Sequence, residues 1–148
     1  MKNISVRQAR PDEIDWINSK YDEVNFIHSN YLNDYIIIAY LENQKVGLGR
    51  LVQLDEKNIE LGGIYVFPNY RRLGVAEKIV RSLCEDNPFS EMSMWCLPFE
   101  HLVDFYGKFG FSAKNIPGEI PEKMKKKIDW VNSESKYEEK AVLLFQNE

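Results

Sequence analysis

Cysteine and histidine are scarce, with two of each among 148 residues. Cys84 and Cys96 are too few for a disulfide framework, so they read as reduced thiols of a cytoplasmic protein. His28 and His101 stand apart, with no thiol or carboxylate at ligand spacing, and no metal site is expected. Long apolar runs are missing too. The longest strongly apolar stretch, Tyr35 to Leu41, falls far short of the roughly 20 residues that cross a bilayer. The opening MKNISVRQAR has no apolar segment of the kind that directs secretion. No membrane partner is therefore expected. Nor is there a surplus of positive charge: 19 Lys plus Arg stand against 23 Asp plus Glu, a formal net charge of −4. Duplex binding relies on a broad excess of cationic side chains, which excludes a nucleic-acid binder working by bulk charge. What is present is apolar mass, 44% hydrophobic and 13% aromatic. A chain of this size buries on the order of two-thirds of its unfolded surface. It can build a core without staples, and disorder is disfavoured. One domain over residues 1–148 is the expectation.

The periodicity suggests an α/β order. Ile4, Val6 and Ala9 alternate with polar residues as a first strand would. Pro11, followed by Asp12 and Glu13, opens a helix that carries Ile14, Ile17 and Tyr21. Asp22 to Asp34 is either a second short helix or an ordered loop. Tyr35–Leu41 and Val46–Leu54 read as a hairpin, in which Gly47 and Gly49 mark a bulge or a close approach. Ile59 to Phe67 follows as another strand, ending at Pro68. The period then changes: Val75, Ile79, Val80 and Leu83 share one helical face from about Leu73 to Asp86, and Asn87-Pro88 stops it. Met92–Leu97 is a strand. Leu102, Phe105, Tyr106 and Phe109 keep helical spacing up to Gly110. Ile120, Met124 and Ile128 suggest a short surface helix, with Lys125-Lys126-Lys127 as its solvated face. Ala141–Phe145 is a terminal strand. The meander implies antiparallel pairing, and the Ile59–Leu97 strand–helix–strand unit implies one parallel crossover.

One segment carries chemistry. From Ile64 to Ala76 a strand ends, a turn holds two arginines and a glycine, and a helix begins. Unpaired N–H groups and the positive dipole end make a helix start receptive to anions. Gly74 leaves room for a phosphate to approach the backbone, and Ala76 is nearly as small. Arg71 to Arg81 counts three Arg and one Lys against one Glu, a local +3. Neither the nucleoside-triphosphate loop nor the dinucleotide G-x-G-x-x-G pattern is present.

In its wider context, Val66-x-Pro68-x-Tyr70-Arg71-Arg72-x-Gly74-x-Ala76 resembles the acyl-CoA pyrophosphate loop of the GNAT superfamily of N-acetyltransferases. Further on, Phe105-Tyr106-Gly107-Lys108-Phe109-Gly110-Phe111 is similar to the second signature of that superfamily. The resemblance implies a single GNAT-like domain: a mixed, mostly antiparallel twisted sheet with helices on both faces. It implies acetyl-CoA as co-substrate and no metal. By the same resemblance, the backbone of Ile64, Tyr65 and Val66 would hold the pantetheine arm, and the Val66 N–H would polarise the thioester carbonyl. Arg71 or Arg72, with Leu73, Gly74, Val75, Ala76 and Glu77, would wrap the pyrophosphate. Tyr106 matches the tyrosine that protonates the departing thiolate.

An alkyl ammonium must lose a proton before it can attack. Glu60 matches the position of the carboxylate that many members use, often through water, and it would need partial burial or a water chain to serve. Many members carry an Asn contacting CoA ahead of the tyrosine, and here that position is Phe99. Cys96 lies on the neighbouring strand and is read as packing rather than as a nucleophile. Glu100 and His101 either line the acceptor site or sit on the surface. The implied acceptor is a small primary amine such as an amino acid, a polyamine or an amine-bearing drug, with a protein N-terminus or lysine as the alternative. The rivals are a catalytically weak CoA-binding module and a basic turn that binds an anion or an acidic partner. Dimers are common in the superfamily, which leaves a homodimer open.

Overall fold

Tyr35 to Leu41 is rich in β-branched and aromatic residues, and it forms the second strand of a meander in the computed structural model, which describes residues 3–133 and 137–147. The strands are β1 (Ile4–Gln8), β2 (Asp34–Leu41), β3 (Gln44–Gln53), β4 (Asn58–Val66), β5 (Ser93–Cys96), β6 (Phe111–Ser112) and β7 (Leu144–Gln146). They follow one another in the sheet as β1-β2-β3-β4-β5-β7-β6. The helices are α1 (Ile14–Asp22), α2 (Val75–Glu85), α3 (Val103–Gly107) and α4 (Glu122–Val131). By contacts the chain groups into two units: residues up to 52 with 63–88, and residues 53–62 with those from 89 onward. The strand β4 contributes to both.

In the first unit β1 pairs antiparallel with β2, Ile4 opposite Leu41, and β2 pairs antiparallel with β3, Leu41 opposite Gln44. The register shifts between Ala39 and Tyr40, opposite the Gly47 region. Close approach is also present. A β-carbon on Gly49 would fall 2.4 Å from Ile79 Cγ2, and one on Gly47 would fall 3.0 Å from the Tyr65 carbonyl. Close approach therefore holds for both glycines, which leave room for α2, and the register shift lies beside Gly47 alone. Ile79, Val80 and Leu83 of α2 are fully buried on that side. The other face receives α1, whose Ile17 and Tyr21 cluster with Ile36, Ile38, Leu48, Tyr65 and Phe67. Helices thus cover both faces of this part of the sheet, as the resemblance implies.

Of the two options for Asp22 to Asp34, the loop is correct. Asn25 takes a left-handed φ of 59°, which ends helical winding. Asn18 then ties the loop back, donating from Nδ2 to the Ser29 carbonyl at 3.2 Å and accepting the Ser29 N–H at 2.7 Å.

A charge cluster fastens the approach to α1. A 3-10 turn, Pro11–Glu13, precedes the helix. The buried Glu13 carboxylate accepts both Arg7 terminal nitrogens at 2.8 and 2.7 Å, and the Arg10 N–H at 2.8 Å. Lys45 Nζ stands 3.4 Å away. The Arg7 hydrogen bonds above all, and then the Arg10 amide, hold the Glu13 carboxyl down at about 2 against the opposing effect of burial.

In the second unit the first half of β4 pairs parallel with β5, Asn58 opposite Ser93 and Leu61 opposite Cys96, which is the parallel pairing read from the strand–helix–strand unit. β7 then pairs antiparallel with both β5 and β6. The two-residue β6 has no sequence expectation behind it, because two residues carry no period. The terminal strand is shorter than Ala141–Phe145, with Ala141 making only an isolated bridge to Phe99. α4 is more than a surface helix: its Met124 is fully buried against Leu54 and Trp95.

Candidate active site

The turn after β4 takes its shape from two left-handed residues. A 3-10 turn, Pro68–Tyr70, is followed by exposed Arg71 and Arg72, the latter at φ 65°, and by Gly74 at φ 87°. Such a φ favours glycine, and a β-carbon on Gly74 would meet nothing within 4 Å. Backbone conformation, not crowding, therefore requires this glycine, and the space in front of it is open. The first helical bond of α2 runs from the Lys78 N–H to the Gly74 carbonyl at 3.1 Å. The amides of Val75 and Ala76 come before that bond at the helix start, so with the helix dipole they form an anion-receptive end. Arg71 folds back and donates from Nε to the Val66 carbonyl at 3.3 Å. Arg81 pairs with Glu77 at 3.2 Å, one turn into the helix. Leu73 is exposed beside the arginines.

Ahead of this turn, Ile64 and Val66 are half-buried and Tyr65 is buried. The Tyr65 hydroxyl donates to Glu23 at 2.8 Å. Burial raises the Tyr65 phenol, and the bond lowers the Glu23 carboxyl. Just before Ile64 and within β4, Gly63 takes φ 60°, a local change that the pattern of apolar residues did not show. A β-carbon there would lie 2.6 Å from Arg50 Nε and 2.7 Å from the Tyr21 hydroxyl. The Tyr21 hydroxyl donates to the Gly63 carbonyl at 2.8 Å. The signal for this left-handed residue is the adjacent pair Gly62-Gly63 inside a strand.

The second unit holds both residues that the sequence proposes for proton transfer. Glu60 is 4% exposed and lies opposite Trp95. Lys127 Nζ donates to its Oε2. This corrects the reading of the lysine run: Lys125 and Lys126 face solvent, whereas Lys127 leans in over a buried carboxylate. The spacing of α4 gives no hint of this, because the partner is far away in sequence. Tyr106 is buried, with edge-to-face contacts to Phe105 at 5.1 Å and Phe111 at 6.1 Å. Burial first, and the Cys96 thiol second, push the Tyr106 phenol well above its ordinary range. At neutral pH it is a proton donor and not a base.

Cys96 is 1% exposed, between Leu61 and Leu144 in the sheet, a packing position. Phe99 stacks edge-on with Tyr137 at 5.3 Å. Glu100 is exposed. His101 binds Glu139 through its ring at 2.6 Å and through its N–H at 2.7 Å, an exposed pair. His28 pairs with Asp22 at 2.7 Å. Among the described residues no group of three or more His, Cys, Asp and Glu is placed to hold a metal.

A cleft of about 800 Å³ in the first unit, on which the sequence was silent, is lined by Trp16, Lys20, Lys45, Phe67 and Tyr70 among others. Its lysines lie over rings, Lys45 above Trp16 at 4.2 Å and Lys20 above Phe67 at 4.8 Å. Each also has a carboxylate partner, Glu13 and Glu23.

No match was found among curated proteins. Among solved structures, N-acetylglutamate synthase from Neisseria gonorrhoeae, complexed with coenzyme A and N-acetyl-glutamate, aligns with a TM-score of 0.67 at 18% identity. The alignment covers 97% of this chain and 35% of that one, so the chain spans about a third of the length of that synthase. Naa50 of Arabidopsis thaliana, in complex with the bisubstrate analogue CoA-Ac-MVNAL, aligns with a TM-score of 0.67 at 15% identity, over 98% and 99% of the two chains. A GNAT family acetyltransferase from Elizabethkingia anophelis with acetyl-CoA bound gives 0.64 at 14%, over 99% of each. These likenesses establish the fold. The profile of the acetyltransferase (GNAT) family matches residues 4–111, a span that holds β4, the Arg71–Gly74 turn, α2 and Tyr106. The chain belongs to the acetyltransferase (GNAT) family.

Proposed function

We propose that residues 1–148 act as one cytoplasmic N-acetyltransferase domain that moves an acetyl group from acetyl-CoA to a primary amine by direct transfer. The observation that carries this reading is the open, positive-φ turn at Gly74, which presents the first amides of α2 beside Arg71 and Arg72. These donors suit a pyrophosphate: main-chain N–H groups at a helix start, flanked by guanidinium groups. Acetyl-CoA, when bound, would supply the activated thioester. Ile64, Tyr65 and Val66 offer backbone groups to the pantetheine arm, and the Val66 N–H polarises the thioester carbonyl. The buried Glu60 carboxylate accepts a proton from the acceptor ammonium, directly or through water. The N–C bond forms as the C–S bond breaks, and Tyr106 gives its proton to the leaving thiolate.

The acceptor is a small primary amine. A protein N-terminus or lysine is the alternative, and solved relatives carry ligands of both kinds, N-acetyl-glutamate in one and a bisubstrate analogue in another. A second reading, a CoA-binding module with weak turnover, draws on the Lys127–Glu60 pair, because a carboxylate already held by a lysine ammonium is less available to an acceptor. Calorimetry with acetyl-CoA and with sulfate, followed by an amine screen read as CoA-thiol release, tests these readings. Acetyl-CoA binding with turnover supports the transferase. Micromolar binding without turnover on any amine supports the module. Equal affinity for CoA and sulfate overturns both.

A further inference from the structure

The first unit contains a buried cation that has no carboxylate at ion-pair distance among the described residues. Arg50 of β3 is 7% exposed. Its guanidinium makes one side-chain hydrogen bond, from Nη1 to the Ser29 hydroxyl at 2.6 Å. It also lies over the Tyr21 ring, 4.3 Å from the centroid. Among the described residues no carboxylate stands within 4.0 Å of it. Asp34, whose charge Tyr21 feels, accepts the Asn30 N–H at 3.1 Å instead.

Arginine is seldom buried without a counter-charge, because desolvation of the guanidinium is then left uncompensated. A guanidinium also has five N–H donors in a planar fork that matches a carboxylate. Among the described residues no fully buried side-chain nitrogen or oxygen lacks a partner. The Arg50 nitrogens not engaged by Ser29 are therefore the part of the residue that still reaches solvent.

Their position is informative. Arg50 Nε lies 2.6 Å from where a β-carbon of Gly63 would fall, so the fork sits against the left-handed Gly63 of β4. Gly63 directly precedes Ile64–Val66, the segment assigned to the acyl-pantetheine arm. The surroundings hold the fork in place. Ser29 is itself 7% exposed and is clamped by Asn18 from both sides at 2.7 and 3.2 Å. Tyr21 is anchored to the Gly63 carbonyl at 2.8 Å. A donor fork fixed in this way loses little freedom on binding an anion.

We infer that Arg50 receives a carboxylate of the acetyl acceptor, so that the acceptor is an amino acid or another amine bearing a free carboxylate. This rests on the proposed acetyltransferase reading and narrows its acceptor class. Polyamines and uncharged amines would leave the Arg50 charge without a counter-ion, and an acid supplies it.

The test compares the twenty protein amino acids with their amides, and with spermidine and a short peptide, as acceptors for the full chain. CoA-thiol release is the readout. The expected result is at least one free amino acid whose kcat/KM exceeds that of its amide by on the order of 10- to 100-fold, the scale of one lost charged hydrogen-bond pair. Arg50→Gln should remove that preference, mainly through KM for the acid, and Arg50→Lys should restore part of it, with KM for acetyl-CoA unchanged in both. A role confined to supporting the β4 backbone at Gly63 would instead depress acid and amide equally. The wild-type comparison stands even where Arg50→Gln does not fold. Amides, spermidine or the peptide serving as well as any free amino acid would overturn the inference and leave the transferase reading intact. Absence of turnover with every amine would overturn the transferase reading, and this inference with it.

Discussion

Tyr106 and Glu60 are the residues through which protons are proposed to move, and their surroundings differ. Tyr106 is enclosed by Phe105, Phe111 and Cys96, which keep its proton on. Tyr106→Phe removes that proton while leaving the packing nearly unchanged. The expected outcome is a kcat lower by roughly 10- to 1000-fold, with the thermal midpoint within a degree or two of the parent. An unchanged kcat in steady-state assays would take Tyr106 out of the reaction. Glu60 is instead balanced by Lys127. Lys127→Met leaves a buried carboxylate without its cation and should cost about 1 to 3 kcal/mol in denaturant unfolding. Adding Glu60→Gln should recover most of that cost, because the two changes share one interaction. Simple additivity in this cycle would show that the pair is not coupled.

At the level of elements, the seating of α2 on the sheet depends on glycine. Gly49→Ala would drive a methyl group to 2.4 Å from Ile79 Cγ2 and 3.0 Å from Ile64 Cδ1. Overpacking of this kind costs about 1 to 3 kcal/mol, to be read as a lower denaturant midpoint. Gly74→Ala meets no such obstacle, and its cost comes from φ 87° alone. It should destabilise by about 1 kcal/mol and, by turning the first amides of α2, weaken CoA binding measured by calorimetry. At the approach to α1, Glu13 gives the fold a dependence on acid. Its folded carboxyl is held at about 2, below the unfolded value of about 4.3. The stabilisation is therefore complete above the unfolded value and is lost as pH falls through about 2. The thermal midpoint should drop from pH 5 to pH 2, and Glu13→Gln should flatten that drop. An equal slope in the variant would assign the acid sensitivity elsewhere.

At the level of the whole molecule, a ligand that binds the folded chain and not the unfolded one raises its stability by mass action. Acetyl-CoA at 100 times its dissociation constant should add about 2.7 kcal/mol, visible as a rise in thermal midpoint that sulfate at the same concentration does not reproduce. The average charge of −4 conceals the local arrangement on which this binding is proposed to depend. Arg71 and Arg72 are exposed beside a helix start, whereas Arg50 is buried and Lys127 is half-buried over Glu60.

Several features could be read from the chain alone because they are local. Proline and paired acids announced α1. The apolar stripe through Val75, Ile79 and Leu83 announced α2, the spacing Arg71-x-x-Gly74-x-Ala76 announced the turn, and Val66–Ala76 together with Phe105–Phe111 carried the resemblance to the family. Such signals need only neighbours within a few residues, where helical period and turn conformation are decided. The choice of loop over helix for Asp22–Asp34, the left-handed Gly63, the short β6 and the burial of Met124 depended on contacts between distant segments. So did the partners of the charged groups. Lys127 reads as one of three solvated lysines until folding brings it to Glu60, and Arg50 reads as an ordinary strand arginine until Ser29, Tyr21 and Gly63 enclose it. Burial and charge pairing are properties of chain segments brought together in space, and tertiary structure alone decides them.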